Sequence, residues 1–177
     1  MRWLVDGYNV IRRAPELKSR EQESLEAGRQ ALCELLVQVA RASADTFTVV
    51  FAGAQAAGRG GGGEGVSVIF SSARESADRV LARMAREGGA VVSNDREVRR
   101  AAERAGAVIV TTDQFLQRLD QARSTAPDPA LEGPALERKD DDDEARPRGP
   151  RTGNPRRRSK KDRAARRALG RLGRGGL

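Results

Sequence analysis

The sequence of 177 residues contains no histidine and a single cysteine, Cys33. Without histidine there can be no His-based general acid–base catalysis, no Ser-His-Asp triad and no histidine metal site. One cysteine can form neither an intramolecular disulfide nor a zinc cluster. Any catalysis must therefore use carboxylates, lysine, tyrosine, serine or threonine, or a metal ion held by oxygen ligands.

Long hydrophobic runs are also missing. No stretch approaches the roughly 20 apolar residues of a membrane span, and the N-terminus lacks the basic segment and apolar core of a signal peptide. We therefore expect a cytoplasmic protein without a membrane partner. Aromatic residues make up only 3% of the chain, so we expect a core built from Val, Leu, Ile and Ala.

Charge is distributed unevenly along the chain, whose formal net charge is +8. Residues 145–177 hold 13 basic residues and one acidic residue, whereas 1–124 are close to neutral. Residues 125–147 are rich in Pro, Gly and acidic side chains, a composition typical of disorder. We therefore expect a folded domain over 1–124, a disordered linker over 125–147, and a basic tail over 148–177 that is disordered or partly helical.

Apolar patterns in 1–124 predict strands that alternate with helices. The predicted strands cover 2–5, 46–53, 65–70, 90–93 and 107–112, and the predicted helices cover 22–42, 73–87, 94–106 and 113–119. Ser72 and Glu75 have capping-box spacing for the second helix, and Thr112 is the predicted cap of the last. This order favours an α/β fold with a mostly parallel sheet covered on both faces.

A glycine-rich stretch separates the second and third predicted strands. Gly58, Gly60 and Gly63 fit the G-x-G-x-x-G pattern of dinucleotide-binding loops. That motif requires a helix directly after it, with the pyrophosphate on the helix N-terminus. Because a strand is predicted there instead, we expect a loop and no nucleotide cofactor.

Carboxylates follow several of the predicted strands. Asp6 comes directly after the first strand, and Asp95 and Asp113 follow two later ones. Ligands of open α/β sheets bind beyond the carboxyl ends of the strands, so these acids would meet at one edge if the strands are parallel. Asp78 lies in the first turns of a predicted helix, at the border of its buried face. The sequence therefore predicts an acidic site at this edge.

Neighbouring carboxylates repel one another, and burying them costs several kcal/mol each unless something compensates. A divalent cation is the natural compensation, and hard oxygen ligands select Mg²⁺ or Mn²⁺. Such a site can activate a water molecule and stabilise charge on a phosphodiester. This chemistry requires no histidine.

Each acid also has a structural interpretation. Asp95 could cap the helix that follows it, Asp113 could be a first-turn acid, and Asp78 could be a solvated helix residue. Asp6 is the hardest to explain in this way, although an Asx turn is an alternative. Gly7 after it would let the backbone turn sharply.

Three motifs occur in a fixed order: LVDGYNVI at 4–11, ESAD at 75–78 at a helix start, and SNDRE at 93–97 after a strand. Together they resemble the YacP-like branch of the NYN domains, within the PIN-like nuclease superfamily, over about 1–124. The resemblance implies a PIN-like α/β/α sandwich and metal-dependent endoribonuclease activity. It also implies RNA, and for some members ribosome-associated mRNA, as the partner.

The resemblance assigns roles to four residues. Asp6 and Asn9 match the D-x-x-N of the opening motif, Asp78 matches the aspartate that opens the helix, and Asp95 matches the aspartate of the S-x-D element. It implies that Asp6, Asp78 and Asp95 hold Mg²⁺ or Mn²⁺. It further implies that Asn9 orients a ligand or phosphate oxygen, which makes all four catalytic-site residues.

Two positions depart from the family pattern. Ala52 stands where many relatives carry an aspartate after the second strand, and Arg79 stands where many carry a second acid after the helix aspartate. Fewer carboxylates would weaken metal affinity. An RNA- or ribosome-binding module with a weakened catalytic site is therefore the alternative to an active endoribonuclease.

The basic tail lies outside the resemblance. Its predicted RNA-binding residues are Arg156, Arg157, Arg158, Lys160, Lys161, Arg163, Arg166 and Arg167. Such a segment neutralises phosphates without sequence choice and in a salt-dependent way. Because the tail has no aromatic residue for stacking, we expect it to position RNA rather than to read bases. A merely solubilising tail is the alternative.

Overall fold

The computed structural model describes residues 1–53, 59–60, 62–125 and 159–172. The predicted linker, apart from residue 125, and the tail residues Arg156, Arg157 and Arg158 lie outside the described residues. The elements, in chain order, are β1 Arg2–Asp6, α1 Gly7–Arg13, α2 Pro15–Glu23, α3 Leu25–Arg41, β2 Thr46–Phe51, β3 Arg59–Gly60, β4 Val66–Phe70, α4 Ala77–Ala85, β5 Ala90–Val92, α5 Arg96–Arg104, β6 Val108–Val110, α6 Thr112–Thr125 and α7 Lys160–Arg171.

The strands form one sheet in the order β3-β4-β2-β1-β5-β6. All neighbouring pairs are parallel except β3 with β4, which is antiparallel. Val5 pairs with Val92, and Val92 pairs with Val110. Three strands therefore end level with one another, and the residues that follow them emerge at the same edge. The predicted, mostly parallel sheet is confirmed.

Helices cover both faces of the sheet. Successive side chains of a strand point to opposite faces, so each strand contributes to two cores. Trp3 and Val5 of β1 face a core closed by helices that include α1, α3 and α6. Leu4 faces the opposite core, closed by α4 and α5. The predicted three-layer α/β/α sandwich is therefore confirmed. No helix among the described residues is long and apolar enough to cross a membrane.

The short helices α1 and α2 precede the first predicted helix and were not expected. α1 buries Val10 and Ile11, and α2 buries only Leu17. Gly7 is the buried first residue of α1, and a Cβ there would overlap the Phe51 ring. Gly7 is thus needed for the close approach of α1 to β2, and it is not among the glycines with positive φ.

The start of α4 differs from the prediction. The Oγ of Ser76 accepts a hydrogen bond from the N–H of Arg79 and caps the helix. The Oγ of Ser72 instead accepts from the N–H of Glu75, in the turn that precedes the helix. The capping-box assignment at Ser72 was therefore wrong by one helical turn. Ser76 is followed three residues later by Arg79 rather than by Glu or Gln, so only Ser72 had the capping-box signal.

The described part of the basic tail is the helix α7, which packs against β6 and α6. Ala165, Ala168 and Leu172 are buried in the core on that side of the sheet. Arg118 of α6 fixes the end of α7 by donating from Nε to the carbonyl of Leu169 at 2.8 Å and from Nη2 to that of Leu172 at 2.9 Å. These contacts attach α7 to the sandwich.

Candidate active site

The structure brings the four predicted site residues to one cleft of about 630 Å³. Asp6 ends β1, and Asn9 lies in the first turn of α1. Asp78 lies in the first turn of α4, and Asp95 immediately precedes α5. Parallel strands and the helices that follow them thus deliver side chains from distant parts of the chain to one place. The roles of these residues in binding and catalysis stay predictions.

Asp6 is half-buried and held by two hydrogen bonds. Its Oδ1 accepts from the N–H of Asn9 at 3.3 Å, which caps α1, and its Oδ2 accepts from the hydroxyl of Ser93 at 2.9 Å. Burial is the main cause that raises the pKa of Asp6, and the charges of Asp78 and Asp95 raise it further. The two hydrogen bonds lower it. A carboxylate is therefore kept in a poorly solvated place beside two like charges.

Asp95 caps a helix, as its structural interpretation predicted, and it also lies at the predicted site. Its Oδ1 accepts from the N–H groups of Glu97 at 2.6 Å and Val98 at 3.3 Å, so that Asp95 caps α5. Its own N–H donates to the Oγ of Ser93 at 3.0 Å. Its side chain also lines the cleft. The cap leaves Oδ2 as the oxygen that can face a ligand.

Asp78 is the least constrained of the three acids. Its pKa is raised by burial first, and then by the charges of Asp95 and Glu97. Among the described residues its carboxylate has no hydrogen bond and no ion pair that would offset this. Arg79, the next residue, is exposed and lines a neighbouring groove between α4 and α5.

Asn9 connects three segments of the chain. Its Oδ1 accepts from the N–H of Asn94 at 3.1 Å and from the hydroxyl of Thr112 at 2.8 Å. A backbone N–H can only donate, so the amide oxygen must point toward it. The Nδ2 group, which can only donate, is what remains for a ligand. Asn9 can therefore hold together the segments that carry the site and can donate to a phosphate oxygen, whereas its Oδ1 already accepts two hydrogen bonds.

Three residues in this network, Ser93, Asn94 and Thr112, were not predicted as site residues. Ser93 and Thr112 are fully buried. Asn94 accepts from the N–H of Thr112 at 3.0 Å through Oδ1 and lines the cleft. Two of these residues lie within the SNDRE motif, of which only Asp95 was predicted as a site residue. A serine at the end of a predicted strand, two residues before an aspartate, was the sequence signal that could have identified Ser93.

The predicted cap at Thr112 was also displaced by one position. The helix α6 begins at Thr112, and it is the Oγ1 of Thr111 that accepts from the N–H of Gln114 at 3.3 Å. The hydroxyl of Thr112 is directed instead to Asn9. The neighbouring threonines thus have different functions, one in the helix start and one in the site.

Asp113 leaves the same edge of the sheet but is paired with a cation. Arg13 donates from Nε to Oδ1 of Asp113 at 2.7 Å, and from Nη2 to Oδ2 at 3.3 Å. This hydrogen bonding from Arg13 is the main reason that the pKa of Asp113 is lowered. Arg13 also lines the acidic cleft, together with Tyr8 and with Arg12, whose guanidinium lies 5.3 Å from the Tyr8 ring centroid.

The arrangement limits how a cation could be held. Among the described residues, no three acidic or cysteine side chains are close enough to hold one metal ion together. Ala52, at the end of β2, lines the cleft without adding a carboxylate. The oxygen donors and the raised pKa values of Asp6 and Asp78 nevertheless fit Mg²⁺, which keeps several waters and binds through one or two carboxylates.

The fold is an α/β/α sandwich in which acidic side chains gather beyond the carboxyl ends of parallel strands. The family model of the YacP-like NYN domain matches residues 3–148. The chain therefore belongs to the YacP-like NYN domain family, which is of nuclease type.

Solved structures agree with this assignment. The crystal structure of Rae1 (YacP) from Bacillus subtilis is similar at 25% sequence identity and a TM-score of 0.60, over 68% of this chain and 74% of that one. A crystal structure of a tryptophan-to-leucine mutant of the same protein is similar in fold, at 23% identity and a TM-score of 0.58, over 75% of this chain and 87% of that one. No curated protein matches the chain.

Proposed function

We propose that the protein is a metal-dependent endoribonuclease that hydrolyses RNA phosphodiester bonds in the cytoplasm, with ribosome-associated mRNA as its substrate. One observation carries the proposal: Asp6, Asp78 and Asp95 line one cleft, and the charges of the last two raise the pKa of the first. Membership of a nuclease-type family supports the same conclusion.

In this proposal Asp6, Asp78 and Asp95 hold Mg²⁺ or Mn²⁺, in part through water. The bound ion would supply an activated water molecule and would neutralise charge on the phosphodiester. Ser93 keeps the Asp6 carboxylate oriented through its hydrogen bond of 2.9 Å. The capping bonds to α5 keep Asp95 from turning away.

Other side chains of the cleft would bind the substrate. The Nδ2 of Asn9 donates to a non-bridging phosphate oxygen, since its Oδ1 is already used. Arg12 is exposed at the cleft and adds positive charge for the approaching backbone. The exposed residues Arg163, Arg166 and Arg167 of α7 would recruit RNA from outside the cleft.

The direct experiment incubates the purified protein with RNA in Mg²⁺ or Mn²⁺. Cleavage should occur with metal and stop with EDTA, and Asp6→Asn should abolish it. Glu64→Gln is the matched control, because Glu64 is exposed and lies just before β4. It is therefore at the amino ends of the parallel strands, opposite the cleft. Cleavage by Asp6→Asn at the rate of wild type would contradict the proposal.

A second candidate, an RNA- or ribosome-binding module with a weakened site, is favoured by one feature. Ala52 leaves the cleft without a further acid, and no three acids among the described residues are near enough to share an ion. This candidate predicts RNA or ribosome binding without cleavage in any metal. The same incubation, combined with a binding assay, separates the two.

A further inference from the structure

A second cavity, of about 800 Å³, lies between α5, β6 and α7. We call it the α5–α7 groove. Its charged lining is mostly cationic, with five basic side chains and two acidic ones: Arg96, Arg99, Arg100, Lys160 and Lys161, against Glu103 and Asp162. Three of the five cations belong to α5 and two to α7, so basic residues of the folded domain and of the tail share one groove.

Both acids of the groove are already engaged. Glu103 forms an ion pair with Lys161. Asp162 lies in the first turn of α7, where its Oδ2 accepts from the hydroxyl of Ser159 at 2.9 Å.

The four remaining cations have no ion pair or hydrogen bond in the part of the chain that the structure describes. They are Arg96, Arg99, Arg100 and Lys160, and all four are exposed. A row of unpaired, exposed cations in a channel is suited to neutralising a polyanion.

The groove and the acidic cleft adjoin at the start of α5. Arg96, which lines the groove, directly follows Asp95, which lines the cleft. Thr111 and Gln114, also in the groove lining, follow the carboxyl end of β6, and the cleft lies beyond the carboxyl ends of the neighbouring strands β5 and β1. A phosphate backbone that follows the cations would therefore arrive at the carboxylates.

The wall formed by α7 is held in place before any ligand binds. Ala165, Ala168 and Leu172 are buried in the core, and Arg118 binds two carbonyls at the C-terminal end of the helix. A preformed wall reduces the ordering cost of binding.

We propose that the α5–α7 groove binds the phosphate backbone of an RNA strand and directs it into the acidic cleft. The inference that the RNA strand is directed into the cleft rests on the proposed function, whereas the inference that RNA binds in the groove does not. The groove lining has no aromatic side chain, so contact is through phosphates and without base choice. An acidic protein is the competing occupant, and continuity with a carboxylate cleft in a nuclease-type domain favours RNA.

The test uses the full chain carrying Asp6→Asn, in EDTA and with the RNA checked for integrity on a gel after each measurement, so that binding is read on uncleaved RNA whether or not Asp6 is catalytic. Arg99→Ala with Arg100→Ala is compared with its parent by fluorescence anisotropy on a labelled, unstructured RNA at several salt concentrations. Affinity should fall, and the slope of log affinity against log salt should shrink by about 1.4, which is about 0.7 for each lost phosphate contact. Both residues are exposed, and circular dichroism checks the fold.

Arg41→Ala with Arg86→Ala is the charge-matched control. Arg41 ends α3 before β2, and Arg86 follows α4, so both exposed side chains lie at the opposite edge of the sheet. An equal loss of affinity in both pairs would mean that only net charge matters, and the groove would be rejected. Unchanged affinity in the Arg99/Arg100 pair would reject RNA as the occupant of the groove.

These outcomes are independent of the cleavage assay. If Asp6→Asn still cleaves RNA while the Arg99/Arg100 pair loses affinity selectively, the proposed catalytic site fails and the groove stands. If Asp6→Asn abolishes cleavage while the Arg99/Arg100 pair binds RNA normally, the catalytic site stands and the groove fails.

Discussion

The hydroxyl of Ser93 donates a 2.9 Å hydrogen bond to Oδ2 of Asp6 and thereby joins the ends of β5 and β1. The same Oγ accepts a 3.0 Å hydrogen bond from the N–H of Asp95. Ser93 is fully buried, so water does not compete for these bonds. One hydroxyl thus fixes the positions of two of the three acids proposed to hold metal.

The first prediction concerns Ser93→Ala. The Asp6 pKa should rise further, because the lost hydrogen bond is one that lowers it. The Asp95 N–H would lose its acceptor, and the free energy of unfolding should fall by about 1–3 kcal/mol. Urea denaturation and NMR titration of the Asp6 carboxyl measure the two effects.

Ser67→Ala provides the control for this change, because Ser67 is exposed on β4. It should alter the free energy of unfolding by less than about 0.5 kcal/mol. An Asp6 titration that is identical in wild type and Ser93→Ala would show that the hydrogen bond does not act on the carboxylate.

The second prediction concerns pH and stability without metal. The folded-state pKa values of Asp6 and Asp78 lie above their ordinary value of 3.8. Between 3.8 and the raised values, the folded state binds more protons than the unfolded state. The contribution of these two groups to the free energy of unfolding should therefore decrease as pH rises through that window.

Other carboxylates have lowered pKa values and change the free energy of unfolding with pH in the opposite direction. The measurement is therefore the difference between wild type and a variant that lacks one titrating group. Arginine partners lower the pKa values of Asp113 and Glu75, and their contribution is lost as pH falls. Asp6→Asn removes only the Asp6 titration, and asparagine still caps a helix well. In EDTA, the free energy of unfolding of wild type minus that of Asp6→Asn should decline as pH rises from 3.8. A difference that is flat with pH would contradict the proposed cause.

The third prediction concerns Asp95→Asn. Asparagine keeps the cap on α5 and removes a charge that raises the pKa values of Asp6 and Asp78. In EDTA the variant should be more stable than wild type by up to about 1 kcal/mol, the range for exposed charge pairs. Mg²⁺ should raise the Tm of wild type by mass action, and the shift should be smaller in the variant.

Glu64→Gln, which changes an acid at the other edge of the sheet, should keep the full Mg²⁺ shift. Differential scanning calorimetry with EDTA and with increasing Mg²⁺ gives both quantities. The proposed metal site is wrong if millimolar Mg²⁺ leaves the Tm of wild type unchanged.

The fourth prediction concerns Arg118→Lys. Lysine keeps the positive charge, but its compact ammonium cannot replace the planar fork that reaches the carbonyls of Leu169 and Leu172. Hydrogen–deuterium exchange over α7 should become faster, because the opening free energy falls by about 1.5–3 kcal/mol for each hydrogen bond lost to a charged group. Arg163→Lys, on the exposed side of α7, should not change the exchange. Unchanged exchange in Arg118→Lys would mean that the buried apolar side chains alone hold α7.

The five parallel strands and the position of the acids could be predicted from the sequence because both depend on local patterns, whereas the short strand β3 lies in the glycine-rich stretch that was predicted to be a loop. β-Branched and aromatic runs such as 46–51 favour a buried strand. Strands that alternate with helices favour a parallel sheet. Once the strands are parallel, the residues after Val5 and Val92 must meet at one edge. The location of Asp6 and Asp95 followed from that rule alone.

The unpredicted parts depend on contacts between distant residues. α2 buries only Leu17 and so has almost no apolar face. The hydroxyl of Thr112 reaches Asn9 across 103 positions of sequence, a contact that no local pattern contains. Ala165 and Ala168 repeat at helical spacing, but alanine carries little hydrophobic signal until a partner surface is known.

The docking of α7 bears on where this chain can be shortened. A fragment that stops at 124 follows the apolar pattern of the sequence but lacks the side chains of Ala165, Ala168 and Leu172 that cover part of the core. Its outer strand β6 and helix α6 would then present apolar surface to water, and such patches promote association. Self-association of that fragment in solution would thus report on the missing helix, and would not describe the behaviour of the intact protein.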